Sequence, residues 1–418
     1  MEVDIQERKK DLEFLRSEPL NMKIQGTIAK VLEFWQYTNG NCYLSYSGGA
    51  DSTVLKDIIE KEVEPFLNCK IKKVFDDTGL EEPSVRDMAI NNKDIIIVKP
   101  KKSFYQVLSE VGYPVISKEV SECVNNARRY FDNLSALRER ERERVSRNTT
   151  PTTKNCLGLA NMPQRVQKLM GLLKKRGSPS EKSLFNKTKY KPLINAPFRI
   201  SNECCNIMKK KPMGVLKEYP IIATRTEESK LREQAWLKNG CNSFEGKIMS
   251  KPLSPWTKQD ILQYIKENNL KIADCYGEVL ALDKYGLPTF DELKARYTFS
   301  GVQRTGCIFC MFSAQSDTQN GGISRFEHLR LTQPQLFDYC MRGGKFDEQG
   351  LWVPDKGLGL AFVIEWLNRT LSKKLKNGET SLFIKGVDLS AYKQQIDKAF
   401  AELERLEPTR KKWYSGEL

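Results

Sequence analysis

Ser47-Gly48-Gly49-Ala50-Asp51-Ser52 joins an alternating, strand-like run (Cys42-Tyr43-Leu44-Ser45-Tyr46) to a stretch with a helical apolar face, Thr53 to Ile59. The two glycines let the backbone approach a bulky anion with no Cβ in the way. The N–H groups that open a helix have no partners of their own, and the dipole there favours negative charge. Asp51 and Ser52 fall in the first helical turn, where a carboxylate and a hydroxyl cap the helix or hold a phosphate-bound metal. The turn is not a Walker loop, which needs a Lys after its last glycine. A Gly-Gly turn alone is more often structural. All six residues between a strand and a helix predict a nucleotide phosphate site.

The chain around this turn reads as α/β. An amphipathic helical lead-in, Met1 to about Tyr37, precedes the first strand. Further strands are expected at Lys70–Phe75, Ile95–Val98 and Pro220–Thr224, with helices at Asp51–Lys61 and Glu82–Asn91 between them. Strands alternating with helices through short connections predict a doubly wound parallel sheet. After Lys251 the pattern is mostly helical, clearest at Lys258–Asn268 and Gly359–Leu375. The expected organisation is N-terminal helices over 1–40, a nucleotide-binding domain over 41–124 and 192–268, an insert over 125–191, and a helical C-terminal region over 269–418.

That insert carries the charge. Of the chain's net +15, the 64 residues Arg128 to Lys191 supply +12, with 17 Lys and Arg against 5 Asp and Glu. Such a concentration suits a polyanionic partner, although a solvated helix and loose loop would look similar. No run of eighteen apolar residues appears and the N-terminus is charged, so a soluble cytoplasmic protein without membrane contact is expected. Eleven cysteines in such a compartment are reduced thiols, metal ligands or redox groups. The single histidine, His328, argues against a Ser-His-Asp triad and His-rich zinc chemistry.

Further motifs follow in order: Asp77-Thr78-Gly79; Cys204-Cys205 before Met208-Lys209-Lys210-Lys211-Pro212; and Arg225 to Arg232 (RTEESKLR). Pro252-Leu253-Ser254-Pro255-Trp256 and Gly301 to Cys310 (GVQRTGCIFC) complete the set. With the S-G-G-x-D-S turn, which is similar to the PP-loop, this series resembles the phosphoadenosine phosphosulfate (PAPS) reductase family from about Cys42 to Phe312, outside the basic insert. The resemblance implies an adenine nucleotide at the carboxyl ends of a doubly wound sheet. Ser47, Gly48, Gly49, Asp51 and Ser52 would hold its phosphates. Asp77, Thr78 and Gly79 would meet the ribose or a metal. Arg225 and Arg232 suit bidentate contact with phosphate or sulfate oxygens, and a surface ion pair with Glu228 is their plainer role.

Cys204-Cys205 and Cys307-x-x-Cys310 offer four thiolates, a donor set for zinc or a 4Fe–4S cluster. Adjacent cysteines strain a zinc hook, and the arrangement resembles the iron–sulfur branch of the sulfonucleotide reductases. Lys209, Lys210 and Lys211 would then offset cluster charge. Cys241 is a further thiol candidate near the nucleotide. Cys42, Cys69, Cys123, Cys156, Cys275 and Cys340 read as small core groups, and Trp256, Trp352 and Trp366 as packing.

Assimilatory reductases use a nucleophilic cysteine in a C-terminal tail, whereas here no cysteine follows Cys340. The resemblance also covers DNA-phosphorothioation members, which cleave ATP to AMP and pyrophosphate. Related PP-loop enzymes thiolate tRNA. Two functions are therefore expected. One is an ATP-using enzyme, with Mg2+, that activates a group for sulfur incorporation into nucleic acid, served by a sulfur-donor or redox partner protein. The other is a thiol-dependent reductase of PAPS.

Overall fold

The structure, a computed structural model, describes residues 5–146, 162–175, 177–291, 295–318, 323–374 and 380–414. The chain divides into two compact units: 1–101 with 209–307, and 102–208 with 308–418. The residues of the expected N-terminal segment that are described, and residues 269–307, thus fall in the same unit as the candidate phosphate turn.

In the first unit, helices α1 (Ile5–Ser17) and α2 (Leu20–Tyr37) lead into β1 (Cys42–Tyr46), α3 (Ala50–Ile58), β2 (Lys72–Asp76), α4 (Pro83–Ile90) and β3 (Ile95–Val98). The chain returns with β4 (Tyr219–Ile222), α5 (Lys230–Asn239), β5 (Asn242–Ser243), β6 (Met249–Ser250) and α6 (Lys258–Glu267). A hairpin of β7 (Val279–Leu282) and β8 (Arg296–Phe299) follows. The sheet order is β3-β2-β1-β4-β6-β5, parallel at every pairing except β5 with β6. From β1 the chain builds outward through β2 and β3, then resumes on the other side of β1 with β4. Strand order reverses between β1 and β4, the place where open α/β sheets receive ligands at the carboxyl ends of their strands.

Local chemistry explains most of these elements. The β1 sequence CYLSY is buried at four of its five positions, as expected of a parallel strand covered on both faces. Val54, Leu55 and Ile58 of α3 pack with Leu44, Val31 and Phe34 in one buried cluster. The helix expected to run to Lys61 instead widens to a π turn over Ile59–Val63. Pro65 then opens the short helix Glu64–Leu67. Pro lacks the N–H that would continue the i→i−4 ladder, which accounts for the break.

The second unit is organised by the helix Lys118–Ser146 and by aromatic packing of Phe198 with Tyr113 and Trp366. Trp352 is 3% exposed and its indole N–H donates to the Gly359 carbonyl at 3.0 Å, so its packing role is met. Arg128 sits inside this unit. Its guanidinium donates to the carbonyls of Leu193, Ile194, Ala196 and Phe198 at 2.8–3.2 Å and lies 4.1 Å over the Trp413 ring. Burial lowers its pKa to about 9, which still leaves it charged at neutral pH.

The first residue of the expected nucleic-acid surface is therefore a structural bolt. Other charges of that segment are also taken up internally. Arg165 pairs with Glu119 and Glu122, Lys168 with Glu119, and Lys175 with Glu181. Where a loose loop was expected, the described residues form a helix at Gln164–Met170 and a hairpin of Lys174–Lys175 with Ser178–Lys182. Residues 147–161 of the insert, Cys156 included, lie outside the described residues.

Candidate functional site

The turn after β1 is built for close approach. Gly48 has φ +71°, and a Cβ there would lie 2.8 Å from both the Val85 side chain and its carbonyl oxygen. Only glycine fits. Gly49 is the N-cap of α3 and has no side chain to satisfy the helix's first N–H groups. Four hydroxyls gather instead. Ser52 Oγ donates to the Gly49 carbonyl at 2.9 Å, accepts from the Ser47 N–H at 3.2 Å and lies 3.0 Å from Ser47 Oγ. The Ala50 N–H donates to the Tyr276 hydroxyl at 3.2 Å, itself 2.7 Å from Thr305 Oγ1. Hydroxyls and backbone N–H groups at a helix N-terminus are the donors a phosphate needs.

Asp51 accepts a hydrogen bond from Arg225 Nε at 3.1 Å, and Arg225 Nη1 reaches Glu227 at 2.6 Å. Arg225 is 9% exposed. Burial raises the Asp51 pKa, and the Arg225 guanidinium opposes that rise. Arg232 is ion-paired with Glu228, whose carboxylate also accepts from the Arg225 N–H at 3.0 Å. The two arginines expected to grip an anion thus stand on one carboxylate-buffered network beside α3, and the Glu228 ion pair is the arrangement found for Arg232.

At the end of β2 the structure assigns roles the sequence did not distinguish. Asp77 is held by Arg86 Nε and Nη2 at 2.6 and 2.8 Å, and this bidentate pairing keeps its carboxyl below the usual range. Thr78 Oγ1 donates to Glu81 at 2.7 Å, and Gly79 has φ +70° with open space where a Cβ would stand. The neighbouring Asp76 lines a cleft of about 640 Å³ together with Ser47, Glu81, Lys209, Lys247 and Thr305. Both Asp76 carboxylate oxygens are buried with no hydrogen-bond partner among the described residues. Burial, reinforced by Glu81, pushes this carboxyl up to about 7, while Lys209 works the other way. The cleft volume is that of ordinary small-molecule sites.

Sequence reasoning passed over Asp76, Tyr276 and Thr305. The Asp76-Asp77 doublet at a strand end was the available signal, since adjacent strand residues point to opposite faces. Tyr276 left none: it meets Ala50 across 226 positions of sequence.

Cys204 and Cys205, whose sulfurs are 4.0 Å apart, and Cys310 belong to the second unit, and Cys307 is the last residue of the first. Four thiols suit a 4Fe–4S cluster by donor type. Among the described residues, however, no three His, Cys, Asp or Glu side chains are grouped so as to hold a metal ion. Cys241, expected near the nucleotide, instead takes a hydrogen bond from the Trp236 indole N–H at 3.3 Å, and burial raises its pKa. A raised pKa makes it a poor thiolate nucleophile.

The fold and this site define an α/β protein with a ligand crevice at the switch point of a parallel sheet. Residues 160–311 match the profile of the phosphoadenosine phosphosulfate reductase domain family. That stretch contains Cys204, Cys205, Arg225, Arg232, Cys307 and Cys310, but stops short of the Ser47–Ser52 turn, and it supports the family resemblance drawn from the motifs. A solved phosphoadenylyl-sulfate (PAPS) reductase from Candida auris, in its phosphate complex, aligns over 66% of this chain and 91% of its own. The alignment has 13% identity and a TM-score of 0.30, a likeness too slight to carry an argument. Among curated proteins no sequence matches the chain. No described helix is long and apolar enough to cross a membrane.

Proposed function

We propose that the first unit is a PP-loop enzyme that binds ATP at the β1–α3 turn and cleaves it to AMP and pyrophosphate. The acceptor oxygen attacks the α-phosphorus and pyrophosphate leaves; a sulfur nucleophile then attacks the acceptor atom that bears the adenylated oxygen, and AMP leaves carrying that oxygen. The observation that carries this reading is the turn itself, with its Gly48-enforced approach at the start of α3 and the Ser47 and Thr305 side chains lining a cleft at the switch point. The turn's hydroxyls and N–H groups hold the phosphates, and Asp51 would hold the Mg2+ that accompanies ATP. Arg225, hydrogen-bonded to Asp51, would offset the charge that develops on a leaving pyrophosphate.

Nucleic acid is the acceptor class in this reading. Lys174 and Lys182 face each other across the hairpin of the basic insert and are both exposed. Like charges directly opposite are destabilising, and a phosphate backbone would relieve them. The reading also keeps a 4Fe–4S cluster on Cys204, Cys205, Cys307 and Cys310, supported by donor chemistry alone, and a sulfur-donor or redox partner protein. Reduction of PAPS to sulfite by an external thiol is the second reading, favoured by the domain match over residues 160–311.

One anaerobic preparation tests these readings. Incubated with ATP it is expected to release pyrophosphate and AMP, and with PAPS and a reduced dithiol to release no sulfite. Iron and acid-labile sulfide should be present in about equal amounts. Sulfite without pyrophosphate overturns the ATP reading, and stoichiometric zinc without sulfide overturns the cluster.

A further inference from the structure

We infer that Asp76 is the ribose-reading group of the cleft, accepting hydrogen bonds from a free 2′,3′-diol and disfavouring nucleotides that carry a 3′-phosphate. This rests on the reading of the β1–α3 turn as an adenine-nucleotide site.

Asp76 is the last residue of β2, and its strand neighbour Phe75 pairs with Tyr46, so Asp76 stands level with Ser47 of the phosphate turn. Adjacent strands are about 4.8 Å apart. A ribose is the group that follows the first phosphate of a nucleotide, and that spacing brings it to the β2 end. Both Asp76 oxygens are buried and without hydrogen-bond partners among the described residues, an arrangement that costs stability unless a ligand supplies donors. A carboxylate offers acceptors only, and a vicinal diol presents two O–H donors to its two oxygens. A 3′-phosphate removes one of those donors. It would also place negative charge against Asp76 and Glu81, both of which line the cleft. Lys209, Lys210, Lys217 and Lys247 also line the cleft, and Lys209 is drawn to Glu81 at 3.9 Å. Asp77 cannot do the same work, because Arg86 occupies both of its oxygens.

The test uses the full chain and its Asp76→Asn variant, titrated with ATP and 2′,3′-dideoxy-ATP, and with AMP and adenosine 3′,5′-bisphosphate. The unaltered chain should bind dideoxy-ATP about 10- to 100-fold more weakly than ATP, the range for hydrogen bonds to a charged group. It should also bind the bisphosphate more weakly than AMP. In Asp76→Asn the ATP affinity should fall, and the dideoxy penalty should shrink to within about threefold. Dideoxy-ATP binding as tightly as ATP to the unaltered chain overturns the assignment even if the variant fails to fold. So does an undiminished penalty in a folded Asp76→Asn. Failure of all four nucleotides to bind overturns the nucleotide site and this assignment together.

Discussion

Arg128 and Asp76 show how differently one side chain can be used from what its type suggests. Arg128 opens the most basic stretch of the sequence, yet it is 5% exposed and donates to four backbone carbonyls. Its replacement by Ala should destabilise the second unit by roughly 3–5 kcal/mol, as several buried carbonyls are left without their donor at once. Urea unfolding measures this, and a change under about 1 kcal/mol would contradict the role. Asp76 gives a pH signature. Its carboxyl rises from an ordinary 3.8 to about 7 in the folded protein. A raised folded value means that the neutral form is favoured on folding, so the contribution is present below about pH 4 and is lost as pH climbs through about 7. Asp76→Asn should therefore stabilise the ligand-free protein at about pH 8, by about 1–3 kcal/mol, and do little at about pH 4. Thermal melts at the two pH values read this directly, and equal gains at both would contradict it.

At the scale of elements, the strands of the sheet were legible because buried parallel strands are written as short apolar runs. Ile95–Val98 matches its expected bounds, Lys72–Asp76 and Tyr219–Ile222 shift by one or two residues, and α6 runs Lys258–Glu267. The phosphate turn was legible for a similar reason, since Gly48 must adopt a positive φ against Val85 and no other residue would serve. What was not legible depends on long-range packing. No local pattern shows that Arg86 takes Asp77 and leaves Asp76 to the cleft, or that Tyr276 reaches the opening of α3. The hairpin of the basic insert was likewise hidden, because lysines alternating with small polar residues read as loop. Its exposed pair gives a prediction: Lys174→Ala with Lys182→Ala should flatten the log–log salt dependence of DNA binding by about 0.9 for each phosphate no longer neutralised. An unchanged slope would make these lysines a solubility feature.

For the whole molecule, charge and chemistry are parcelled between two units of the chain. The first carries the parallel sheet, the Ser47–Ser52 turn, the cleft, and Arg225 with Arg232. The second carries the helix Lys118–Ser146 and the lysine-bearing hairpin, Cys204 and Cys205, and Trp352 in its packed interior. The 17 basic residues of the insert therefore overstate its free basic surface, because Arg128, Arg165 and Lys168 are spent on the second unit's own structure. The central claim belongs to the first unit: nucleotide chemistry takes place at the β1–α3 turn. Pyrophosphate release from ATP, compared between the full chain and its Asp51→Ala variant with melting curves on both, tests it most directly. The account predicts a loss of about 100-fold or more in Asp51→Ala, from the usual cost of removing one transition-state electrostatic interaction, with the fold retained. A folded Asp51→Ala protein that releases pyrophosphate at the unaltered rate would contradict it.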